Sequence, residues 1–218
     1  MMKAYVALKL RGVMQAWGGH TFEDLRHTEL IPTRSGILGL LAACFGIDRT
    51  DQARLEDLAG SVAIAVRMDR APQRITDFHT VMDARKVDGK ARKDPIVSRR
   101  EYLCDAEYTV LLEISELAGF SVADVVRALQ RPVYTPFLGR RSCPTSRPLY
   151  EATIDAVDFE SAFGLVEPCK GTVYSDKCPR SGGTRFRLRD IPLYGRKRQF
   201  ASRQLYVYQQ SGDGDDPQ

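Results

Sequence analysis

The sequence predicts an α+β protein. A ferredoxin-like (RNA-recognition-like) β-α-β-β-α-β domain spans residues 1–150, carries a basic thumb-like hairpin, and is followed by a small β-rich C-terminal extension over 151–210. Two patterns carry that fold class: apolar residues alternate with period two in several segments and recur with helical spacing in others, in the order strand, helix, strand, strand, helix. Composition agrees. A chain of 218 residues, 43% hydrophobic and 28% charged, can bury one full core with an elaboration, which excludes collagen-like, low-complexity and wholly disordered classes.

Each element has its own reason. In Lys3–Leu10, Ala4, Val6, Leu8 and Leu10 share one face and Tyr5, Ala7 and Lys9 the other, as in a strand. Residues 11–32 show no periodicity, and a connection of this length is too long to be only a connector. The run from Gly36 to Phe45 is apolar nearly all round and predicts a buried helix, capped by Thr33 or Ser35 and ended by Gly46. A short helix follows over Asp51–Ala59, with Thr50 as cap and Leu55 and Leu58 facing inward. Val62–Met68 alternates as a strand, with Arg74–Met82 as its expected partner across Ala71-Pro72-Gln73. The basic excursion from Asp83 to about residue 106 lacks large apolar residues over most of its length and reads as the exposed thumb-like hairpin. Glu107–Ile114 returns to strand pattern, Ser121 caps a helix striped with Val122, Val125, Val126 and Leu129, and Val133–Leu138 is expected as the last core strand. Short strands and turns then lead to Gln204–Tyr208, and the acidic tail 211–218 is expected to be disordered.

Net charge is +4, rising to +7 once the three tail aspartates are removed. The bases cluster: Arg85, Lys86, Lys90, Arg92, Lys93, Arg99 and Arg100 form one group, and Arg180, Arg185, Arg187, Arg189, Arg196, Lys197, Arg198 and Arg203 another. One such run alone reads as a solvated face. Two runs interleaved with aromatics favour a polyanion, since cations meet phosphates and rings meet bases. The longest nearly uncharged apolar run, Gly36 to Ile47, is too short for a membrane span, and the N-terminus lacks a secretory signal pattern, so a cytoplasmic home is expected. The five cysteines contain no C-x-x-C pair, so neither a disulfide framework nor a zinc site is indicated, and Cys44 reads as a small buried hydrophobe. No cofactor or metal is expected.

Three loops hold the candidate recognition groups. Gln15 and Trp17 lie among glycines after the first strand; Trp17 reads either as a stacking surface or as a loop anchor packed on the core. Arg34, Ser35 and Gly36 place a guanidinium, a hydroxyl and backbone N–H groups at a helix start, a physically sound phosphate cradle. Arg140 and Arg141 follow the last expected core strand, and Arg198 and Arg203 come from the C-terminal part; cations at element ends can converge on a groove without disrupting the core.

Met14-Gln15-Ala16-Trp17-Gly18, Thr21-Phe22-Glu23, Pro32-Thr33-Arg34-Ser35-Gly36 with Leu38-Gly39-Leu40-Leu41, Arg99-Arg100-Glu101-Tyr102-Leu103-Cys104-Asp105-Ala106, Tyr134-Thr135-Pro136, Leu138-Gly139-Arg140-Arg141-Ser142-Cys143-Pro144 and Arg198-Gln199-Phe200-Ala201-Ser202-Arg203 occur in that order. Together they resemble the CasD family of the type I-E CRISPR surveillance complex, Cascade. The resemblance implies an RNA-recognition-like protein bound to the 5′ handle of the guide RNA, at one end of a helical backbone of CasC subunits and beside the large CasA subunit. Target DNA would be met only through the complex. It further implies no cleavage by this chain, because in type I-E systems a separate endonuclease cuts the precursor RNA. The expected RNA-binding set is Gln15, Trp17, Arg34, Ser35, Gly36, Arg85, Arg99, Arg100, Tyr102, Arg140, Arg141, Arg198 and Arg203.

Metal-free RNA cleavage needs a base, an acid and a cation around the reacting phosphate. His20, His27 and His79 are the histidines; Asp77 and His79 share a strand face, and His79 with Tyr102 or a lysine could make a nuclease site, though a structural or RNA-contacting histidine is the expected reading. A P-loop and a G-x-G-x-x-G motif are missing from the sequence, and its clustered carboxylates, Asp213, Asp215 and Asp216, fall in the tail expected to be disordered, which does not suggest a two-metal nuclease. Three hypotheses remain: a non-catalytic RNA-binding subunit, a metal-independent endoribonuclease on the same fold, and a basic scaffold that contacts only protein.

Overall fold

The computed structural model describes residues 1–19, 24–82, 94–194 and 199–211. Its elements are β1 (Lys3–Arg11), β2 (Met14–Gln15), β3 (Trp17–Gly18), β4 (Leu25–Arg26), β5 (Thr28–Glu29), α1 (Arg34–Phe45), α2 (Gln52–Ser61), β6 (Val62–Arg70), β7 (Gln73–Val81) and β8 (Ile96–Cys104). They continue with β9 (Glu107–Ile114), α3 (Val122–Gln130), β10 (Tyr150–Ala156), α4 (Phe159–Gly164), β11 (Gly171–Ser175), β12 (Thr184–Pro192) and β13 (Phe200–Gln210). The architecture is mixed, with helices on antiparallel sheets.

Seven strands form the main sheet in the order β10-β1-β9-β6-β11-β13-β12. The period-two pattern of β1 is buried on both sides. Val6, Leu8 and Leu10 join the core with α1 and α3, while Tyr5 and Ala7 pack with Phe159 and Phe163 of α4. Helix α1 is buried along much of its length, its N-cap Thr33 accepting the Gly36 N–H and its C-cap Gly46 taking the left-handed conformation that favours glycine. Ser121 and Asp124 close a capping box on α3. Strands β11, β13 and β12 extend the same sheet from β6. A second sheet contains β2-β8-β4, with β7 paired to β8.

Two expected pairings are corrected. Val133–Leu138 is not a strand: the Val133 and Tyr134 N–H groups bond Cys44 and Ala43 carbonyls, so this stretch caps the end of α1 instead of entering the sheet. The strand that follows α3 is β10, antiparallel to β1. Nor does β7 pair with β6. Both edges of β6 are taken, by β9 and β11, so β7 turns away and pairs with β8 along its full length. β7 precedes the segment expected as a thumb-like hairpin, about 83–106, and β8 falls within it; residues 83–93, including Arg85, and the tail 212–218 lie outside the described residues. Among the described residues no helix is long and apolar enough to cross a membrane, and no three His, Cys, Asp or Glu side chains are grouped to hold a metal ion.

Candidate nucleic-acid interface

A groove of about 930 Å³ runs along α1 beneath the loop that follows α3. Ser35, Gly36 and Gly39 of α1 line one wall. The opposite wall carries Arg100, Arg140 and Arg141, with Arg49 just beyond the end of α1. Tyr134, Phe137 and Tyr194 add aromatic faces, and burial pushes the Tyr194 phenol up. Cations beside aromatic rings in one concavity are what a single-stranded nucleic acid needs.

The loop of this wall is sewn to the segment after β1. Ala16 N–H bonds the Leu138 carbonyl, and Gly139, at φ +86°, sits so close to the Ala16 carbonyl that a Cβ would lie 1.8 Å from its oxygen. Only glycine fits there. Arg140 is held in place: its guanidinium lies 4.8 Å from the centre of the Tyr102 ring and donates to the Glu101 carbonyl at 2.9 Å and the Arg26 carbonyl at 3.1 Å. Arg141 beside it is exposed. Arg100 donates through Nε to Ser98 Oγ at 3.2 Å, and Arg99, next along β8, projects from the other face beside Phe78 of β7.

Several expected contact groups are instead interior. Trp17 is fully buried; its indole N–H donates to Gln15 Oε1 at 3.1 Å, and the Gln15 amide donates to the Leu10 and Ala106 carbonyls. The pair is therefore a satisfied polar anchor of the core, and Trp17 has no face left for a base. Gly36 serves the same packing, since a Cβ there would meet the Trp17 ring at 2.8 Å. Tyr102 is 2% exposed, with Arg140 over its ring, so it too offers no stacking surface.

The phosphate cradle at the start of α1 is already filled. Asp190 Oδ2 accepts the Arg34 backbone N–H at 2.7 Å, so a carboxylate from β12 takes the seat a phosphate would use. The Arg34 guanidinium donates to Asp176 at 2.6 Å and to the Ala59 and Val62 carbonyls. Arg203 binds Asp190 at 2.6 and 2.7 Å and also pairs with Asp176. Burial works against the Arg203 charge, yet its bonds to the two aspartates outweigh that and hold its pKa above the ordinary value. Arg34 and Arg203 are thus the cationic half of a clamp joining β12, β13 and the segment after β11 to α1. Their guanidinium groups meet Asp176, Asp190 and backbone carbonyls where RNA phosphates are the expected partners.

Of the expected set, the groove gathers Ser35, Gly36, Arg100, Arg140 and Arg141; Arg85 and Arg198 lie outside the described residues. Sequence reasoning missed Arg49, Tyr134 and Tyr194. Tyr134 stood in the Tyr-Thr-Pro motif, but nothing local says that a loop after α3 returns to α1. His79 Nε2 lies 2.6 Å from Asp77 Oδ2 and 3.3 Å from the Tyr102 hydroxyl.

The chain is similar to known proteins over nearly its whole length. The curated Cascade subunit CasD of Escherichia coli (strain K12) is 43% identical over 215 residues, 94% of this chain and 96% of that one. A solved structure titled CRISPR RNA-guided surveillance complex superposes with a TM-score of 0.76 at 26% identity, covering 95% of this chain and 90% of the other. Another, titled as the crystal structure of a Cas protein, gives 0.65 at 28% identity over 94% and 93%. Residues 5–206 match the model of the CRISPR-associated protein (Cas_Cas5) family, and with that span and these relatives the chain belongs to that family.

Proposed function

We propose that this chain is a non-catalytic, cytoplasmic RNA-binding subunit of a type I-E CRISPR surveillance complex, holding the 5′ handle of the guide RNA in the α1 groove. In this reading it caps one end of a CasC backbone, which the β7–β8 hairpin grips, and adjoins a CasA subunit; target DNA is met through the assembled complex. The observation that carries it is the groove itself, where Arg49, Arg100, Arg140 and Arg141 meet Tyr134, Phe137 and Tyr194. The strand order β10-β1-β9-β6, with α1 between β1 and β6 and α3 between β9 and β10, supports a ferredoxin-like unit beneath it.

Reversing two groove charges, Arg100→Glu with Arg141→Glu, tests the reading. Both side chains reach solvent, so folding stability should stay within about 0.5 kcal/mol of the wild type. Guide-RNA retention should fall at least about tenfold at moderate salt, since two phosphate contacts are lost. A folded double variant that keeps its RNA as salt is raised would sink the groove assignment.

The Asp77–His79–Tyr102 contacts favour a second reading, a metal-independent endoribonuclease. The burial of Tyr102, 2% exposed with Arg140 over its ring, supports the non-catalytic one, since a substrate has little access to its hydroxyl beside His79. His79→Ala should leave precursor-RNA processing by a purified preparation unchanged. A specific cut within the repeat that this substitution alone abolishes would establish the enzyme.

A further inference from the structure

The face of the sheet turned away from the groove carries a second basic feature. Along β12, Arg185, Arg187 and Arg189 alternate with Phe186 and Leu188, so all three arginines project from one side. Their neighbours on β13, by register, are Tyr206, Gln204 and Ser202. The other side of the same strands packs inward: Leu205, the partner of Phe186, belongs to the core with α1. Further along the arginine side, Tyr208 packs against α4, but α4 is only six residues long and the outer strand stays uncovered. All three arginines are exposed.

Among the described residues no carboxylate pairs with them. Asp190, the only acid in β12, is 2% exposed and bound to Arg203 on the inner side. Of the acids at α4, Asp158 pairs with Arg180 at 2.7 Å and Glu160 accepts the Arg180 and Ser181 N–H groups. Arg185 and Arg187 make no hydrogen bond or ion pair within the described residues, while Arg189 is steadied by its Nε bond to the Phe200 carbonyl at 2.8 Å. Successive arginines are about 6.7 Å apart along the strand, within one Debye length, so they repel one another unless an anion bridges them.

We propose that this stripe is a second nucleic-acid site, separate from the groove, which binds the sugar–phosphate backbone of a single strand laid along β12, with Tyr206 as a platform for one base. Charge complementarity selects the ligand: three guanidinium groups in line match consecutive phosphates, and the partly buried phenol ring of Tyr206 beside Arg185 matches a base. The strand could come from RNA or from displaced DNA; the shared chemistry is the phosphate backbone.

The test is fluorescence anisotropy of the full chain with labelled oligouridine and oligothymidine of about 15 nucleotides, titrated over a range of salt. Arg185→Glu with Arg187→Glu should weaken binding about tenfold or more and lower the salt slope by about 1.4, the value for two single-strand phosphate contacts. Arg185→Lys with Arg187→Lys, which keeps both charges, should stay within about threefold of the wild type. A loss on oligothymidine alone assigns the site to displaced DNA, and a loss on oligouridine alone to RNA. Unchanged affinity and slope on both probes, with the glutamate variant folded by thermal melting, would overturn the proposal.

Discussion

The two ends of α1 use arginine in opposite ways. At its N-terminal end Arg34 and Arg203 are enclosed with Asp176 and Asp190, and every guanidinium group is met by a carboxylate or a carbonyl. Along its flank and beyond its C-terminal end, Arg49 and Arg141 face water and the Arg100 guanidinium, among the described residues, bonds a serine hydroxyl. The residue type is the same; what separates a fastening from a contact is whether another element delivers a carboxylate. Asp176 comes from 142 positions along the chain and Asp190 from 156, so no local pattern around Arg34 could have announced either.

That contrast predicts opposite outcomes for one kind of substitution. Arg203→Ala should cost about 3 kcal/mol, the lower end of the range for breaking a buried ion pair. The lower end applies because Arg34 still neutralises Asp176, whereas the buried Asp190 keeps only the Arg34 backbone N–H. Denaturant unfolding measures this, and a cost below about 1 kcal/mol would show that the clamp is no more than a surface pairing. Arg49, Arg100 and Arg141 should behave the other way, losing RNA at almost no cost in stability, whereas Arg140 is also fastened to Tyr102, Glu101 and Arg26.

What was legible in the sequence follows the same divide between local and distant causes. β1, α1, β6, β9 and α3 were readable because periodicity and caps are local: Thr33, Gly46 and Ser121 do what their types dictate. The strand after α3 was misplaced because Val133 and Tyr134 have strand-like chemistry but spend their N–H groups on the end of α1. β7 was given the wrong partner because occupancy of a sheet edge depends on β11, more than 90 residues later. At the candidate site, Arg140 and Arg141 single out the loop after α3 in the sequence, and that loop lines the groove. Trp17 was not decided, because a tryptophan among glycines reads alike as platform or anchor until Gln15 is seen accepting from its indole N–H.

The smallest expected effect sharpens the comparison from the acid side. Glu101, on β8, is a nearly buried carboxylate that fastens the segment after β1, accepting the Thr28 N–H at 3.1 Å, with His27 Nδ1 at 3.1 Å and Arg74 at 3.4 Å. Burial pushes its pKa up, yet the Thr28, His27 and Arg74 interactions outweigh that and leave it below the ordinary value. A depressed carboxylate pKa means that the unfolded chain takes up the proton first. The stability that Glu101 supplies is therefore complete above the unfolded value, near 4.3, and is lost as pH falls from there through the folded value. The same carboxylate backs the open wall, since Arg140 donates to the Glu101 carbonyl. Acidification should loosen the Thr28 amide before the enclosed clamp opens, visible as faster hydrogen exchange at Thr28 than in α1. In Glu101→Gln the amide cannot ionise, so the difference in melting temperature from the wild type should shrink as pH falls below about 4.3. A difference that stays constant across that interval would show that Glu101 fastens this segment through packing and neutral hydrogen bonds alone.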